Sequence, residues 1–492
     1  MGVVRRTSIR FLTILYIGIV LGYINTVLIF PNILTEEEFG LTRIIFSAAA
    51  LIAQITQLGT GNILVRFHPH LKDDSRNTTL TLGLLLSFLG VIISGLVLFF
   101  FKDWIIDSYA ENAALFTKYY YLLLPATISL IAYNLFDGYL RVLLKNSFSA
   151  FLNSILLRVV WLAIVLLYSF GLFDTDTFIN YYVGGQILVS CVGLAYVLMQ
   201  GNLTLGFDTT KERMIMLRKM VNFGIVTVVS GISLLLINRI DVVLVGKYLG
   251  LADVAIFSIA MYMSDVILAP AQSIARTSAV LVADAFKSNN MAMVKDLYKK
   301  TALNQVLLGS LVFMLIAVNY DSLLSFLPPS YSDSYYVFFL LGLTKVVNTG
   351  LGVNGAILIN SRYYKLDTIL SVSLLIISVI LKIFFIPIYG LIGAAASTAF
   401  AIIAFNIAKY IILKAKMDLS PFSKNYFSIC AILIAAFLIT IYVPVTKFVW
   451  FNIPIKSTVF VLLTVPGIYI LNLSEDFNAL IDGGIDFIRK RV

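Results

Sequence analysis

The chain is poor in the residues that soluble and catalytic proteins rely on. Only 13% of its 492 residues are charged, against about 25% in a soluble domain. It has two cysteines, Cys191 and Cys430, both inside apolar runs. That excludes a disulfide scaffold or a metal cluster and predicts two buried thiols. Its two histidines, His68 and His70, flank Pro69 in a short polar segment. They are expected to be solvated rather than to hold a metal. No Walker-type P-loop is present, which excludes an ATPase, and no H-E-x-x-H. With no catalytic grouping and no cofactor motif, the chain is expected not to be an enzyme. Alternating strands of about ten residues, the mark of a membrane β-barrel, are missing too. No small-residue cleavage site follows the first apolar run, so no cleavable signal peptide is expected.

What the chain has instead is apolar length. It is 60% hydrophobic, with mean hydropathy +0.95. The apolar residues come in blocks of about 20, enough to cross a hydrocarbon core as helix. Fourteen spans are predicted. The first seven are Ile9–Phe30, Leu41–Val65, Thr79–Phe101, Tyr119–Leu140, Phe148–Phe170, Phe178–Met199 and Val221–Val245. The rest are Val254–Ala283, Ala302–Val318, Tyr335–Ile359, Thr368–Ile388, Gly390–Leu413, Tyr426–Val443 and Thr458–Leu473. If the N-terminus is cytoplasmic, twenty-five Lys and Arg fall on inner segments and six on outer ones. This bias sets both termini inside. The net charge of +10 therefore reports membrane topology rather than nucleic acid.

The pattern repeats. A shift of 215 carries Thr35–Gly40 onto Gly250–Ala255, each a short outer turn, and Gln57 onto Gln272. A shift of 216 carries Tyr119 and Tyr120 onto Tyr335 and Tyr336, and one of 219 carries Gly171-Leu172-Phe173 onto Gly390-Leu391-Ile392. The expected organisation is an all-α membrane protein with two parallel six-helix bundles, residues 1–200 and 221–415. A cytoplasmic linker, 201–220, joins them, and 416–492 add a two-helix hairpin and tail. Two bundles of six spans keep one orientation and should be related by a pseudo-two-fold along the membrane normal. Within the linker, Lys211 to Lys219 interleaves basic and apolar residues. It reads as an amphipathic helix on the anionic leaflet or as a plain solvated linker.

Polar residues inside spans are the candidates for function. A charge at membrane depth costs about 2.5–3.5 kcal/mol on insertion scales, so it faces a cavity or a partner. Leu234–Leu244 carries Asn238, Arg239 and Asp241. Asn238 and Asp241 share a helix face, whereas Arg239 and Asp241 lie about 200° apart. The second span carries a stripe of Arg43, Ser47, Gln54 and Gln57; the eighth carries Ser258, Tyr262, Asp265, Gln272 and Arg276. These stripes either face a wet central cavity or bond between helices within each bundle. Arg158 and Lys345 lie in spans, and Lys382 near an outer end is expected to snorkel. The five intramembrane cations exceed the three carboxylates Asp137, Asp241 and Asp265. That balance suits an anionic group such as a phosphate, for which Arg is a bidentate ligand. Asp241 and Asp265 could bind H⁺ or Na⁺ for coupling, or neutralise an Arg. Pro125 and Pro270 are expected to kink spans, and Gly18 and Gly22 to allow close helix contact.

Together these features resemble the multidrug/oligosaccharidyl-lipid/polysaccharide exporter superfamily with its MATE fold, and within it the Wzx-type oligosaccharide flippases. The residues that carry the resemblance are Ile33-Leu34-Thr35-Glu36-Glu37-Glu38-Phe39-Gly40, Gln57-Leu58-Gly59 with Arg66, Asn238-Arg239-Ile240-Asp241 and Tyr248-Leu249-Gly250. It covers about residues 5–415. The extra pair of helices is similar to the lipid II flippase arrangement, where such a pair forms a groove for the lipid tail. The resemblance implies an undecaprenyl-pyrophosphate-linked oligosaccharide as substrate, flipped across a bacterial inner membrane by alternating access for O-antigen, capsule or exopolysaccharide assembly. Arg239, Arg276 and Arg158 would attract the diphosphate, and Gln54, Gln57, Gln272 and Asn238 would bond the sugar. Besides membrane lipids, a polysaccharide polymerase and a chain-length regulator are the expected partners, with no nucleic acid. The alternatives are a multidrug/cation antiporter on the same fold, which would want an anionic cavity, and a non-transporting scaffold for glycan assembly.

Overall fold

The computed structural model describes residues 2–68, 73–110, 113–143, 145–199, 211–444, 446 and 449–489. All regular structure among them is helical. Side chains at some helical positions, Asn238 and Arg276 included, lie outside the described set, as does His70. By length and hydropathy, nine helices among the described residues can cross a membrane, or eleven if each bent pair counts as one span. Fourteen were expected. Part of the difference is that Tyr364–Met417 runs through two expected spans and counts once, although its backbone breaks at Gly390 (φ 59°, ψ −138°). The outward faces are apolar: Phe88, Leu96, Phe99, Ile376 and Phe384 are all exposed. A band of this kind needs lipid against it. The chain is a multi-pass membrane protein.

The chain divides into two compact units, Met1–Ser258 and Ile259–Val492. The first begins with helix Gly2–Tyr23, which passes through a π-helical segment, Ile24–Ile29. Thr35 then caps helix Glu36–Thr56 in a reciprocal capping box with Glu38. Glu38 also accepts hydrogen bonds from Tyr168 (2.8 Å) and Thr175 (3.0 Å), tying three chain segments to one carboxylate. A core of Leu64, Leu135, Phe136, Leu152 and Val189 fills this unit. Lys211 to Lys219 opens a single 38-residue helix, Lys211–Tyr248, rather than a separate one. Leu217 and Met220 pack there on Ile63, Leu82 and Leu86, while Arg218 and Lys219 stay exposed.

In the second unit, helices Met291–Val318, Ser334–Gly350 and Tyr364–Met417 pack together. The added pair, Lys424–Ile441 and Val449–Ile470, docks through Ile429, Leu433, Phe460 and Ile468 on Leu307. Polar ties hold it at both ends. Lys456 donates to the Val318 carbonyl (3.3 Å), and Ser474 donates to Asn304 (2.7 Å).

Several local expectations are corrected. His68 is buried at the end of helix Thr60–Phe67, edge-on to Tyr139 at 5.9 Å, rather than solvated. Cys191 is exposed and Cys430 half-buried, because each faces an apolar groove rather than a helix core. Lys382 does not snorkel: it is fully buried and donates to Ser378 at 2.6 Å. Pro125 and Pro270 each sit third in their helix, Leu123–Val142 and Leu268–Lys287. The missing N–H costs nothing there, so Pro125 kinks no helix interior. The bend expected at Pro270 is present: its span turns by 47° at the break just before Leu268, and that break holds Val266, the residue four before the proline.

Candidate functional site

In the first unit, helix Glu36–Thr56 stops at Gln57, and Leu58 and Gly59 both take left-handed conformations (φ 54° and 70°) before helix Thr60–Phe67 begins. Three other helices converge on this break. A Cβ at Gly59 would lie 2.7 Å from the Gly224 carbonyl of the long helix, and one at Gly90 2.5 Å from the Thr56 carbonyl. Ser94 donates to Thr56 at 2.8 Å. Gln57, buried at the break, donates to Gln54 (2.9 Å) and accepts from Asn134 on helix Leu123–Val142 (2.8 Å). Gln57 thus spends its amide on its neighbours, and Gln54 remains half-buried beside it.

Arg158 lies just past a second π-helical segment, Leu152–Leu156. It is half-buried, with its guanidinium packed on the bare backbone of Gly22, where a Cβ would come within 2.5 Å of Cζ. Gly18 meets Ser154 in the same way, so Gly18 and Gly22 do form a close crossing. The adjoining π-turn supplies Asn25, which donates to the Arg158 carbonyl (2.7 Å), and Thr26, which meets Arg43 at 3.5 Å. Such π-turns recur at functional sites, and no hydropathy pattern announces them. Asp137 accepts from Ser149 and pairs with Arg141 one turn on. On the long helix Arg239 is exposed and Asp241 buried, as their angular separation requires; the Asn238 side chain lies outside the described residues.

In the second unit, Asp265 ends helix Leu251–Asp265, and its carboxylate pairs with Lys345 of helix Ser334–Gly350 at 2.8 Å. Gln272 is exposed, and the Arg276 side chain lies outside the described residues. Two features escaped sequence reasoning. Asp367 and Lys409 pair at 2.7 Å, both mostly buried. Forty-two residues separate them, which a straight helix would stretch over roughly 60 Å. They meet because the chain folds back at Gly390. Their near-equal distances from that glycine are the signal that could have found them. Beside this pair, Asn406 donates to Asn348 (2.9 Å) and accepts from Asn354 (3.1 Å).

A cavity of about 570 Å³ opens between these helices and the first added helix. Val306, Leu343, Ile407, Phe422, Tyr426 and Cys430 line it, and its wall is almost wholly apolar. The first unit has a smaller counterpart of about 320 Å³ lined by Pro125, Ile128, Ser190 and Cys191. The 216-residue shift carries Ile187 and Cys191 onto Ile403 and Ile407, so the two cavities take equivalent places on the repeat.

Known proteins share this architecture. The chain is similar to the lipid II flippase MurJ in an inward closed conformation, with TM-score 0.72 at 14% identity, over 96% of this chain and all of that one. It is similar to an inward-facing multidrug resistance MATE family transporter of the MOP superfamily, with TM-score 0.64 at 16% identity, over 83% of this chain and 94% of that one. A MOP superfamily transporter from Pyrococcus furiosus, described for the reversed polarity of its binding pocket, matches with TM-score 0.54 at 16% identity, over 84% of this chain and 95% of that one. The fold is therefore the MATE-like fold of flippases and transporters. Comparison with curated proteins gives no match. The family model described as polysaccharide biosynthesis protein matches residues 5–282. That is more than half of the sequence, and the chain belongs to the polysaccharide biosynthesis protein family.

Proposed function

We propose that the protein flips undecaprenyl-pyrophosphate-linked oligosaccharide repeat units from the cytoplasmic to the outer leaflet of the bacterial inner membrane, with both termini cytoplasmic. The units would feed O-antigen, capsule or exopolysaccharide assembly with a polysaccharide polymerase and a chain-length regulator. The observation that carries this reading is the apolar cavity of about 570 Å³ beneath helix Lys424–Ile441. A hydrocarbon tail gains about 0.8 kcal/mol per buried CH₂, so a slot of this kind serves a lipid cargo and is of no use to a hydrated cation. Membership of a polysaccharide biosynthesis family supports a glycan as headgroup. The balance of charge supports a diphosphate: the five intramembrane cations stand against the three carboxylates Asp137, Asp241 and Asp265, of which Asp265 is paired with Lys345 and Asp137 with Arg141.

In this mechanism Arg239, Arg276 and Arg158 attract the diphosphate. Gln54, Gln272 and Asn238 bond sugar hydroxyls, with Gln57 positioning Gln54. The tail stays in lipid and in the cavity while the two halves open alternately to each side. Asp241, buried on the long helix, and Asp265 are the candidates for coupling to H⁺ or Na⁺.

Leaflet translocation of a labelled undecaprenyl-diphospho-oligosaccharide in proteoliposomes tests this. Wild type should transport, and folded Arg239→Ala, Arg276→Ala and Arg158→Ala should each lose about tenfold or more, the scale of one charge-assisted contact. Folded wild type that moves no glycan under any imposed ion gradient would shift the reading to a cation antiporter or an assembly scaffold. Transport indifferent to the arginines would keep the function and remove the site.

A further inference from the structure

The Asp265–Lys345 pair is unequal. The Lys345 side chain keeps 14% of its exposure, whereas that of Asp265 keeps 50%. The ammonium is held in the protein and the carboxylate stands at the open side. A mostly buried ammonium needs an anion beside it, so Asp265 can leave only if another anion takes its place.

Asp265 also stands where the backbone can move. It is the last residue before the break that separates Leu251–Asp265 from Leu268–Lys287, whose axes bend by 47°. Ile267, fully buried in that break, seats against two bare backbones. A Cβ at Gly342 would lie 3.3 Å from its Cδ1, and one at Gly309 3.8 Å from its Cγ2. Gly342 and Lys345 are one turn apart on the same helix. Helix Ser334–Gly350 therefore grips the break twice, by an apolar plug and by a removable charge.

We propose that Lys345 is a phosphate-binding residue and that Asp265 is its resident counter-ion, displaced when the phosphates of the cargo arrive. The exchange trades one anion for another on a buried ammonium, so the ammonium is never left bare, and the displaced carboxylate of Asp265 is the half-exposed member of the pair. It also releases one of the two grips on the helix break, which links cargo arrival to movement there. The inference rests on the flippase reading and adds to it a ligand and a trigger.

Binding to the full chain in lipid nanodiscs tests it, with undecaprenyl diphosphate and inorganic pyrophosphate as separate probes. Asp265→Asn frees the ammonium and should tighten undecaprenyl diphosphate by about fivefold, the upper scale of one partly exposed ion pair. Lys345→Met should weaken it by about as much. The double variant Asp265→Asn with Lys345→Met has no bare charge to disturb folding, and it should bind like Lys345→Met alone. Pyrophosphate showing the same pattern would place the recognition in the phosphates; a pattern confined to the lipid probe would place it in the intact lipid headgroup. Unchanged or weaker binding by folded Asp265→Asn, or wild-type affinity in the double variant, overturns the exchange. If those results come with loss of binding in Arg239→Ala, the flippase reading stands without it. Absence of binding by wild type overturns both.

Discussion

At the scale of single residues, some of the ions inside the spans meet as pairs across helices. Asp367 and Lys409 are a buried pair, and removing one partner of such a pair costs about 3–5 kcal/mol. Asp367→Asn should therefore lower thermal stability in detergent sharply, whereas Asp367→Asn with Lys409→Met should recover most of the loss. Equal damage in the double variant would show that the charges do not interact. Gly40 makes a different demand. A Cβ there would fall 1.8 Å from the Leu251 carbonyl, so Gly40→Ala must push two backbones apart. Overpacking of this kind costs about 1–3 kcal/mol, and the folded yield should fall measurably. The charged residues themselves were legible, because charge in an apolar run stands out. Their partners were not: Lys345 meets Asp265, and Lys409 meets Asp367, across helices whose register no periodicity specifies. Lys382 misled for the same reason, since its place near a span end says nothing of what closes over it.

At the scale of elements, the glycines that punctuate the repeat carry the geometry. Gly171 and Gly390, aligned by the 219-residue shift, both take positive φ (73° and 59°). With ψ at −138°, Gly390 lies in a region open essentially to glycine alone. Gly390→Ala should cost about 1–3 kcal/mol by that strain, read as a lower melting temperature, although a methyl there would meet no atom within 4 Å. A steric clash is thus excluded as the cause, and an unchanged melting temperature would deny the strain. The turn after Gly171 offers a pH test. Thr177 hydrogen-bonds the Asp174 carboxylate with its side chain and its backbone N–H (3.0 Å), which holds that carboxyl below its ordinary range. A depressed folded-state pKa stabilises above the unfolded value, about 3.9, and the gain is lost as pH falls through the lower folded value. Asp174→Asn should therefore lower the melting temperature at neutral pH, and the gap to wild type should close below about pH 4. The turns could be read from the sequence, since Gly between two apolar blocks is a strong signal. The π-turns could not: Ile24–Ile29 carries Asn25-Thr26 and Leu152–Leu156 carries Asn153-Ser154, but a polar pair inside an apolar run does not separate a π-turn from ordinary helix.

At the scale of the whole molecule, the fold was the most legible feature: blocks of apolar residues, charge bias and a repeat act over hundreds of residues and survive local errors. The cavity was not legible, because it exists only where four helices fail to close. It makes the two cysteines useful. Cys430 lines the larger cavity and Cys191 the smaller. Undecaprenyl phosphate should slow labelling of Cys430 by a small apolar maleimide and leave Cys191 little changed; equal protection of both would mean that the tail has no preference for the covered groove. The pairing of Asp367 with Lys409 has a further consequence during synthesis. A ribosome makes about 5–20 residues each second, so Asp367 waits roughly 2–8 seconds for its cation to be made. Through that interval the nascent first arm carries a carboxylate with no ammonium to meet it. The arm is therefore best held near the insertion machinery until the chain has turned at Gly390 and the second arm has followed, so that the hairpin enters the bilayer as one unit.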